Sequence, residues 1–314
     1  MIAAIITAQA VEIMKAHFRL PIAELGVRSK AEAETREGYD SNVILISDVT
    51  RTDEEIAAFV AEAIGRDLGG RVVSEEHDSI PQPLRHLLVQ YGADGWYNDP
   101  VDSTHNYREA LEEPNPDLRS SNGMFSLGRV RNGQPDMGIV AAPLVLGHPT
   151  QFYGAEIGKG AFVCNEDGIC PLSIDTAAKV QKGAVLVSAN EHDHINYLND
   201  LGYTVIPLDG FVFKLCAMLD RTLIDAYAPG LVPAGMPIVG FISNSASAHD
   251  YAAGAVIARE AHAVVTAKNG STTINMHKGR NGLLVADNQK THQDLVDAIR
   301  YEQEQRTKQS PGRS

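Results

Sequence analysis

Two carboxylates and a hydroxyl surround a proline in the stretch Trp96-Tyr97-Asn98-Asp99-Pro100-Val101-Asp102-Ser103-Thr104. Pro100 has a fixed φ and no N–H, so it disfavours a helix or a central strand and favours a stiff turn at a strand end. Asp99 and Asp102 can then face one point, where they offer the oxygen ligands that Mg2+ prefers. The stretch predicts a metal site suited to phosphoryl chemistry, since two ions about 3.5–4 Å apart can clamp an in-line displacement.

Three further acidic clusters stand at the ends of predicted elements. Glu75-Glu76 follows the apolar pair Val72-Val73, which reads as a strand that ends in carboxylates. Asp53 stands at the start of an amphipathic run with helical spacing, and Asp250 precedes a run of small residues that suits a closely packed helix. The acids therefore predict one site assembled from several elements.

In their order along the chain, these motifs resemble those of the inositol monophosphatase superfamily of Mg2+-dependent phosphatases. The matching motifs are Thr50-x-x-Asp53, Glu75-Glu76, Asp99-Pro-Val-Asp-Ser-Thr104 and Asp250-x-Ala-Ala-Gly254. Residues 133–143 and 153–162 are also similar to the central hairpin and the Gly-rich turn of that family, so the resemblance covers roughly residues 30–300. It implies an α/β fold with an α+β N-terminal part, layered as an α-β-α-β-α sandwich.

The resemblance also implies a role for each acidic motif. Two or three Mg2+ ions would be held by Glu75, Asp99, Asp102, Asp250 and the carbonyl of Val101. Asp53 and Thr104 would act on the attacking water, and Glu75 would take part in catalysis. The backbone N–H groups of Ser103 and Thr104 would hold the phosphate if they begin a helix. Sensitivity to Li+ is implied in the same way.

Two positions depart from the family pattern. Ser103 stands where the family usually has Gly, so it either tolerates an unusual backbone conformation or adds a hydroxyl contact to the substrate. His249 stands where the family has Trp. It is a candidate substrate contact, and the alternative is a packed histidine that is hydrogen-bonded to the backbone.

The substrate must be chosen by the second half of the chain. Asp209-Gly210-Phe211-Val212-Phe213-Lys214-Leu215-Cys216 resembles the Gly-x-x-x-Lys-x-Cys segment of bacterial 3'(2'),5'-bisphosphate nucleotidases. Lys214 would meet a second phosphate, or it would snorkel to the surface. Ser188 and His192 are further candidates for substrate contact.

The leading hypothesis is a metal-dependent phosphomonoesterase that acts on a phosphorylated polyol or sugar of the inositol phosphate kind. The first alternative is a nucleotidase acting on 3'-phosphoadenosine 5'-phosphate, and fructose 1,6-bisphosphate ranks third. A hypothesis of another class is a catalytically weak homologue that serves as a regulatory or binding subunit.

The composition indicates which kinds of binding partner to expect. The 314 residues include 27 Lys and Arg against 40 Asp and Glu, a formal charge of −13 that disfavours binding to a nucleic acid polymer. The three cysteines have no spacing that suits zinc or a disulfide framework, which favours a reducing cytoplasm. No run approaches the roughly 18–20 apolar residues of a membrane span. We expect a small phosphate ester as partner, and a homodimer is possible.

The predicted organisation has three parts. Residues 1–170 form an α+β metal-binding portion, residues 171–303 form an α/β portion that contributes Asp250 and substrate contacts, and residues 304–314 form a disordered tail. Helices are predicted near 2–18, 53–66, 191–201, 210–219, 250–261 and 291–303. Strands are predicted near 71–74, 94–98, 124–130, 137–142, 184–188, 204–207 and 262–266. The polar insertion 109–122 would cover the site or build an interface.

Overall fold

The computed structural model describes residues 1–25, 28–29, 48–174, 182–188, 193–243, 246–277 and 282–309. Its helices are α1 (Ile2–Phe18), α2 (Arg51–Leu68), α3 (Thr104–Leu111), α4 (Asp193–Asp200), α5 (Phe211–Leu219), α6 (Arg221–Tyr227), α7 (Ala248–Glu260) and α8 (Gln289–Gln309). Its strands are β1 (Arg28–Ser29), β2 (Asp48–Val49), β3 (Val72–Ser74), β4 (Gly95–Asp102), β5 (Met124–Arg131), β6 (Gln134–Ala142), β7 (Gln151–Glu156), β8 (Ala161–Asn165), β9 (Gly168–Leu172), β10 (Ala184–Val187), β11 (Thr204–Pro207), β12 (Ile238–Ser243), β13 (Val264–Ala267) and β14 (Leu283–Ala286).

The elements stack in five layers. Helices α1 and α2 cover one face of a seven-stranded sheet of order β3-β4-β5-β6-β7-β8-β9. Helices α5 and α7 lie between this sheet and a five-stranded sheet of order β11-β10-β12-β14-β13, and α4 and α8 cover the outer face of the second sheet. The predicted α-β-α-β-α sandwich is confirmed.

Small residues bring α7 close to the first sheet. A methyl group at Gly138 would lie 2.3 Å from the carbonyl oxygen of Ala253, and one at Gly128 would lie 2.5 Å from the nitrogen of Ala253. These distances are shorter than van der Waals contact, so only glycine allows the sheet and the helix backbone to approach this closely. The close approach fixes where the first turn of α7, with Asp250, stands relative to β4.

Strand β4 continues through Pro100 to Asp102, which corrects the predicted end of the strand near residue 98. Its pairing with β3 ends at Asn98, so Pro100 removes no hydrogen bond on that side. On the other side Asp99 pairs with Ser126 and Asp102 pairs with Met124, so three steps on β4 match two on β5. This β-bulge offsets the alternation of side chains, and residues three apart reach the same side of the sheet.

The C-terminal helix is longer than predicted. Helix α8 runs to Gln309, so residues 304–309 of the predicted disordered tail are helical, and residues 310–314 lie outside the described part of the chain. Strand β9 crosses the predicted boundary at residue 170. The predicted helices and strands also omit α6, β7, β8, β9, β12 and β14. The division into two portions stays a prediction.

The polar insertion is anchored to the first helix of the chain. Helix α3 extends into it as far as Leu111, and the buried guanidinium of Arg119 donates from Nη1 to the carbonyl oxygens of Phe18 and Leu20, at 2.5 and 2.9 Å. A role in covering the site or in an interface stays a prediction.

Within the described ranges, no helix is both long enough and apolar enough to cross a membrane.

Candidate functional site

Five of the predicted carboxylates meet where β4 ends. Burial raises the pKa of Asp99 well above its ordinary value, and the negative charges of four neighbours raise it further. Those neighbours are Glu75, Asp102, Asp250 and Asp53. The charges that act on the buried Asp99 carboxylate therefore come from the ends of two strands and the starts of two helices, as the sequence predicts.

Strand pairing and helix capping explain how three of these acids are held. Glu75 follows β3 directly and donates its N–H to the carbonyl of Asn98, at 3.2 Å, so it lies beside β4. Asp53 is the third residue of α2, and its Oδ2 accepts from the N–H of Thr50 at 2.8 Å. Asp250 has the same place in α7, where its Oδ2 accepts from the N–H of Ser247 at 2.5 Å. A helix start favours a carboxylate at this position.

Asp102 joins the two halves of the chain. Its carboxylate accepts from the N–H groups of Phe211, at 3.3 Å, and Val212, at 2.7 Å, at the start of α5. Burial, and then the charge of Asp250, raise the pKa of Asp102 to about 7, although these N–H groups and the charge of Lys214 act in the opposite direction. A buried carboxylate with a raised pKa is held at a cost that a cation would offset.

Thr104 completes the group at the first turn of α3. Its Oγ1 lies 3.1 Å from Oδ1 of Asp53 and 2.9 Å from the carbonyl oxygen of Val101. Both neighbours are acceptors, so they share the single hydroxyl proton, and the lone pairs of Oγ1 remain available to accept from a water. The predicted pair of Asp53 and Thr104 is thus in hydrogen-bond contact.

The bare carboxylates fit a hard cation. Oδ1 of Asp99 is buried and has no hydrogen-bond partner within the described ranges, and a buried oxygen left this way normally costs stability. Where the structure describes the chain, no group of three or more His, Cys, Asp or Glu side chains is placed so that it could hold a metal ion. Carboxylates that repel one another would draw together only when a cation joins them. The oxygen-only donor set suits Mg2+.

His249 contacts both the predicted metal site and a residue that the sequence does not predict. Its Nδ1 lies 2.6 Å from the hydroxyl of Tyr91, and its Nε2 lies 2.9 Å from Oδ1 of Asp250 and 3.8 Å from Oε2 of Glu75. The imidazole therefore touches two of the predicted metal ligands. Tyr91 lies in the loop before β4, and no sequence pattern marks it as a site residue.

Ser103 adopts the glycine-like backbone that its position demands. Its φ is 70°, in the left-handed region, and it is the cap of α3. Its hydroxyl is buried without a hydrogen-bond partner in the described part of the chain, and a methyl group at Gly210 would lie 2.6 Å from it. The side chain thus points at the start of α5, and only the backbone of Ser103 is left to meet a phosphate.

Lys214 is an internal residue, so the expectation of a surface lysine is wrong. Its side chain is 2 % exposed, and Nζ donates to Oγ of Ser188 at 3.0 Å and to the carbonyl of Leu208 at 2.9 Å. The apolar stem suits a helix packed between two sheets. Ser188 is therefore placed beside Lys214, and His192 lies outside the described residues.

Comparison with known proteins identifies the family of the chain and solved structures that share its fold. A sequence profile described as the inositol monophosphatase family matches residues 2–305. An IMPase from Thermotoga maritima superimposes with a TM-score of 0.65 at 17% identity and covers 96% of each chain. An inositol monophosphatase from Anabaena (Nostoc) sp. gives 0.64 at 18% identity, with 95% of this chain and 94% of that chain covered.

A third structure, SaIMPase-II with inositol monophosphate bound, gives a TM-score of 0.62 at 16% identity and covers 98% of each chain. These similarities show the shared fold. No curated protein sequence matches the chain. Because the family profile spans nearly its whole length, the chain belongs to the inositol monophosphatase family.

Proposed function

We propose that this protein is a Mg2+-dependent phosphomonoesterase that hydrolyses a small phosphorylated polyol or sugar, with an inositol monophosphate as the first substrate to test. The observation that carries the proposal is the contact between Thr104 and Asp53, together with a buried oxygen of Asp99 that has no hydrogen-bond partner among the described residues. A hydroxyl–carboxylate pair suits the activation of water, and the lone oxygen suits a cation.

The residues that would hold two or three Mg2+ ions are Glu75, Asp99, Asp102, Asp250 and the carbonyl of Val101. Bound Mg2+ neutralises the phosphate oxygens and lowers the pKa of water. The bulge in β4 supports this assignment, because it brings Asp99 and Asp102 to the same side of the sheet. The raised pKa of each of these two aspartates supports it as well, since cations would stabilise their ionised forms.

The proton path runs through the chain's own groups. Asp53 is held by Thr50, so its Oδ1 keeps its orientation while it accepts from the hydroxyl of Thr104. Thr104 Oγ1 accepts from the water, and the water proton passes to Oγ1 as the hydroxyl proton passes to Asp53. The water oxygen bonds to phosphorus as the ester P–O bond breaks, the leaving alkoxide takes a proton from solvent water, and Asp53 returns its proton to solvent. The N–H groups at the start of α3 would hold the phosphate.

The substrate assignment rests on the contacts of Lys214 and on one structural relative. The nucleotidase alternative needs Lys214 to meet a second phosphate, but both contacts of its Nζ described above are internal. A structure with the same fold, SaIMPase-II, has inositol monophosphate bound. An inositol phosphate therefore remains the leading substrate.

Phosphate release from four esters, with Mg2+ and with EDTA, tests this proposal. The esters are inositol 1-phosphate, 3'-phosphoadenosine 5'-phosphate, adenosine 5'-phosphate and fructose 1,6-bisphosphate. We expect the highest kcat/KM with inositol 1-phosphate and no turnover in EDTA. Preference for the 3'-phosphorylated nucleotide, lost selectively in Lys214→Met, would establish the nucleotidase instead. Inactivity towards every ester would support the weak regulatory homologue.

A further inference from the structure

Three side chains, Tyr91, His249 and Asp250, lie one after another within hydrogen-bonding distance. The hydroxyl of Tyr91 lies 2.6 Å from Nδ1 of His249, and Nε2 of His249 lies 2.9 Å from Oδ1 of Asp250. Tyr91 and His249 are 158 positions apart in the sequence. The contact therefore depends on the folded chain and not on local sequence.

The direction of each hydrogen bond follows from the groups themselves. An ionised carboxylate can only accept hydrogen bonds, so Nε2 of His249 must carry the proton that lies between it and Asp250. In a neutral imidazole Nδ1 is then the acceptor, and the hydroxyl of Tyr91 donates to it. Burial and the nearby carboxylates, Glu75 first, raise the pKa of Tyr91, so its hydroxyl keeps its proton.

Tyr91 and His249 fix the carboxylate oxygen of Asp250 that the start of α7 leaves unbound. Oδ2 already accepts from the N–H of Ser247, and Oδ1 lies within hydrogen-bonding distance of Nε2 of His249, at 2.9 Å. Each oxygen has a further lone pair, so the bonds orient the carboxylate and still leave it able to bind a cation. The His249 and Asp250 side chains are 9% and 18% exposed, which shields the bond from competing water.

We infer that Tyr91 and His249 are positioning residues that orient the Asp250 carboxylate for Mg2+ and thereby set the affinity of the metal site. The inference rests on the proposed function, because it assumes that Asp250 is a metal ligand. Groups that hydrogen-bond to a metal ligand commonly change metal affinity by about 10–100-fold when they are removed. His249 acts here through Asp250 and not through the substrate.

Mg2+ binding to the substrate-free protein, measured by titration calorimetry, separates this role from a purely structural one. His249→Met removes the donor and should weaken Mg2+ binding by about 10–100-fold. His249→Gln places an amide donor near the position of Nε2 and should bind Mg2+ close to the wild type. Tyr91→Phe frees the imidazole to change tautomer and should weaken binding by about tenfold or less. NMR of nitrogen-labelled histidine should show His249 in the Nε2–H form.

Tyr203→Phe is the matched control. The hydroxyl of Tyr203, just before β11, donates to Oδ2 of Asp294 at 2.7 Å, so this variant loses a buried tyrosine hydroxyl away from Tyr91 and His249. It should lower the unfolding temperature in EDTA and leave Mg2+ affinity unchanged.

Wild-type affinity in both Tyr91→Phe and His249→Met would overturn the inference. Equal losses in His249→Gln and His249→Met would also overturn it, because the ring itself would then be required. A wrong proposed function would give a different set of results. In that case the wild type would not bind Mg2+, or Asp250→Asn would bind it normally, and no variant of Tyr91 or His249 would matter.

Discussion

Oγ1 of Thr104 lies 3.1 Å from Oδ1 of Asp53, although the two residues are 51 positions apart. Each stands in the first turn of a helix, Asp53 in α2 and Thr104 in α3. The helix starts fix both side chains before any substrate arrives. This preorganised pair is the part of the site that acts on water in the proposed reaction.

Thr104→Val keeps the shape of the side chain and removes the hydroxyl. We expect kcat to fall by about 10²–10⁴-fold, since the proton path to Asp53 is lost. Thr104→Ser keeps the hydroxyl and should retain most of the activity. The measurement is steady-state phosphate release at saturating Mg2+, with circular dichroism to verify the fold. A Thr104→Val enzyme with wild-type kcat would rule out the pair as the group that activates water.

The metal-free protein should lose stability as the pH rises. Burial and the charge of Asp250 raise the pKa of Asp102 from 3.8 to about 7, so the folded protein binds this proton more tightly than the unfolded chain does. The contribution of Asp102 to the free energy of unfolding therefore falls between these two values as the carboxyl ionises. Saturating Mg2+ should reverse the loss, because it binds the ionised form.

Thermal unfolding in EDTA and in Mg2+, across about pH 5 to 8, measures this effect. Asp102→Asn is the control and should show a flatter pH dependence in EDTA. A metal-free protein whose unfolding temperature rises over that range, with no gain from Mg2+, would contradict the prediction.

Ser103→Gly should stabilise the protein. A residue other than glycine in the left-handed region costs about 1–2 kcal/mol, and the Ser103 hydroxyl is also buried without a partner in the described ranges. Glycine removes both costs but makes the unfolded chain more flexible, so we expect a net gain in stability of about 1 kcal/mol. Denaturant unfolding measures it. Lower stability of Ser103→Gly would mean that the hydroxyl makes a favourable contact.

Gly138→Ala should damage the metal site from a distance. The added methyl group would lie 2.3 Å from the carbonyl oxygen of Ala253, so α7 must move and carry Asp250 with it. We expect a loss of about 1–3 kcal/mol in stability together with weaker Mg2+ binding. Gly240→Ala is the control, because Gly240 lies in the second sheet. Its added methyl group would lie 3.1 Å from a side-chain atom of Leu295 and not against α7. Unchanged Mg2+ affinity in Gly138→Ala would show that α7 does not set the position of Asp250.

Local sequence patterns predicted much of the fold and of the site. The acids at 53, 75, 99, 102 and 250 could be found because each stands at the end of a strand or the start of a helix, where turn and capping residues mark the place. The fold class followed from the family motifs and is confirmed. Helix α8 was predicted too short because residues 304–309 are polar, and the sequence alone favoured disorder there.

Several other contacts between distant parts of the chain were not predicted. The sequence offered a second phosphate or the protein surface as the surroundings of Lys214, and it gave no sign of the internal partner Ser188, which is 26 positions away. Tyr91 carries no local signal, since its partner His249 is brought to it only by the packing of α7 on the sheet. The bulge at Pro100 depends on how β4 pairs with β5, which no local pattern shows.

Hydrolysis of a phosphate ester by this protein should require a cation held by these carboxylates. We would test this first by measuring phosphate release from inositol 1-phosphate by the wild type and by Asp99→Asn, each with Mg2+ and with EDTA. We expect turnover only in the wild type with Mg2+, and the Asp99→Asn protein should remain folded. Equal turnover in EDTA, or full activity of Asp99→Asn, would show that no such cation is needed.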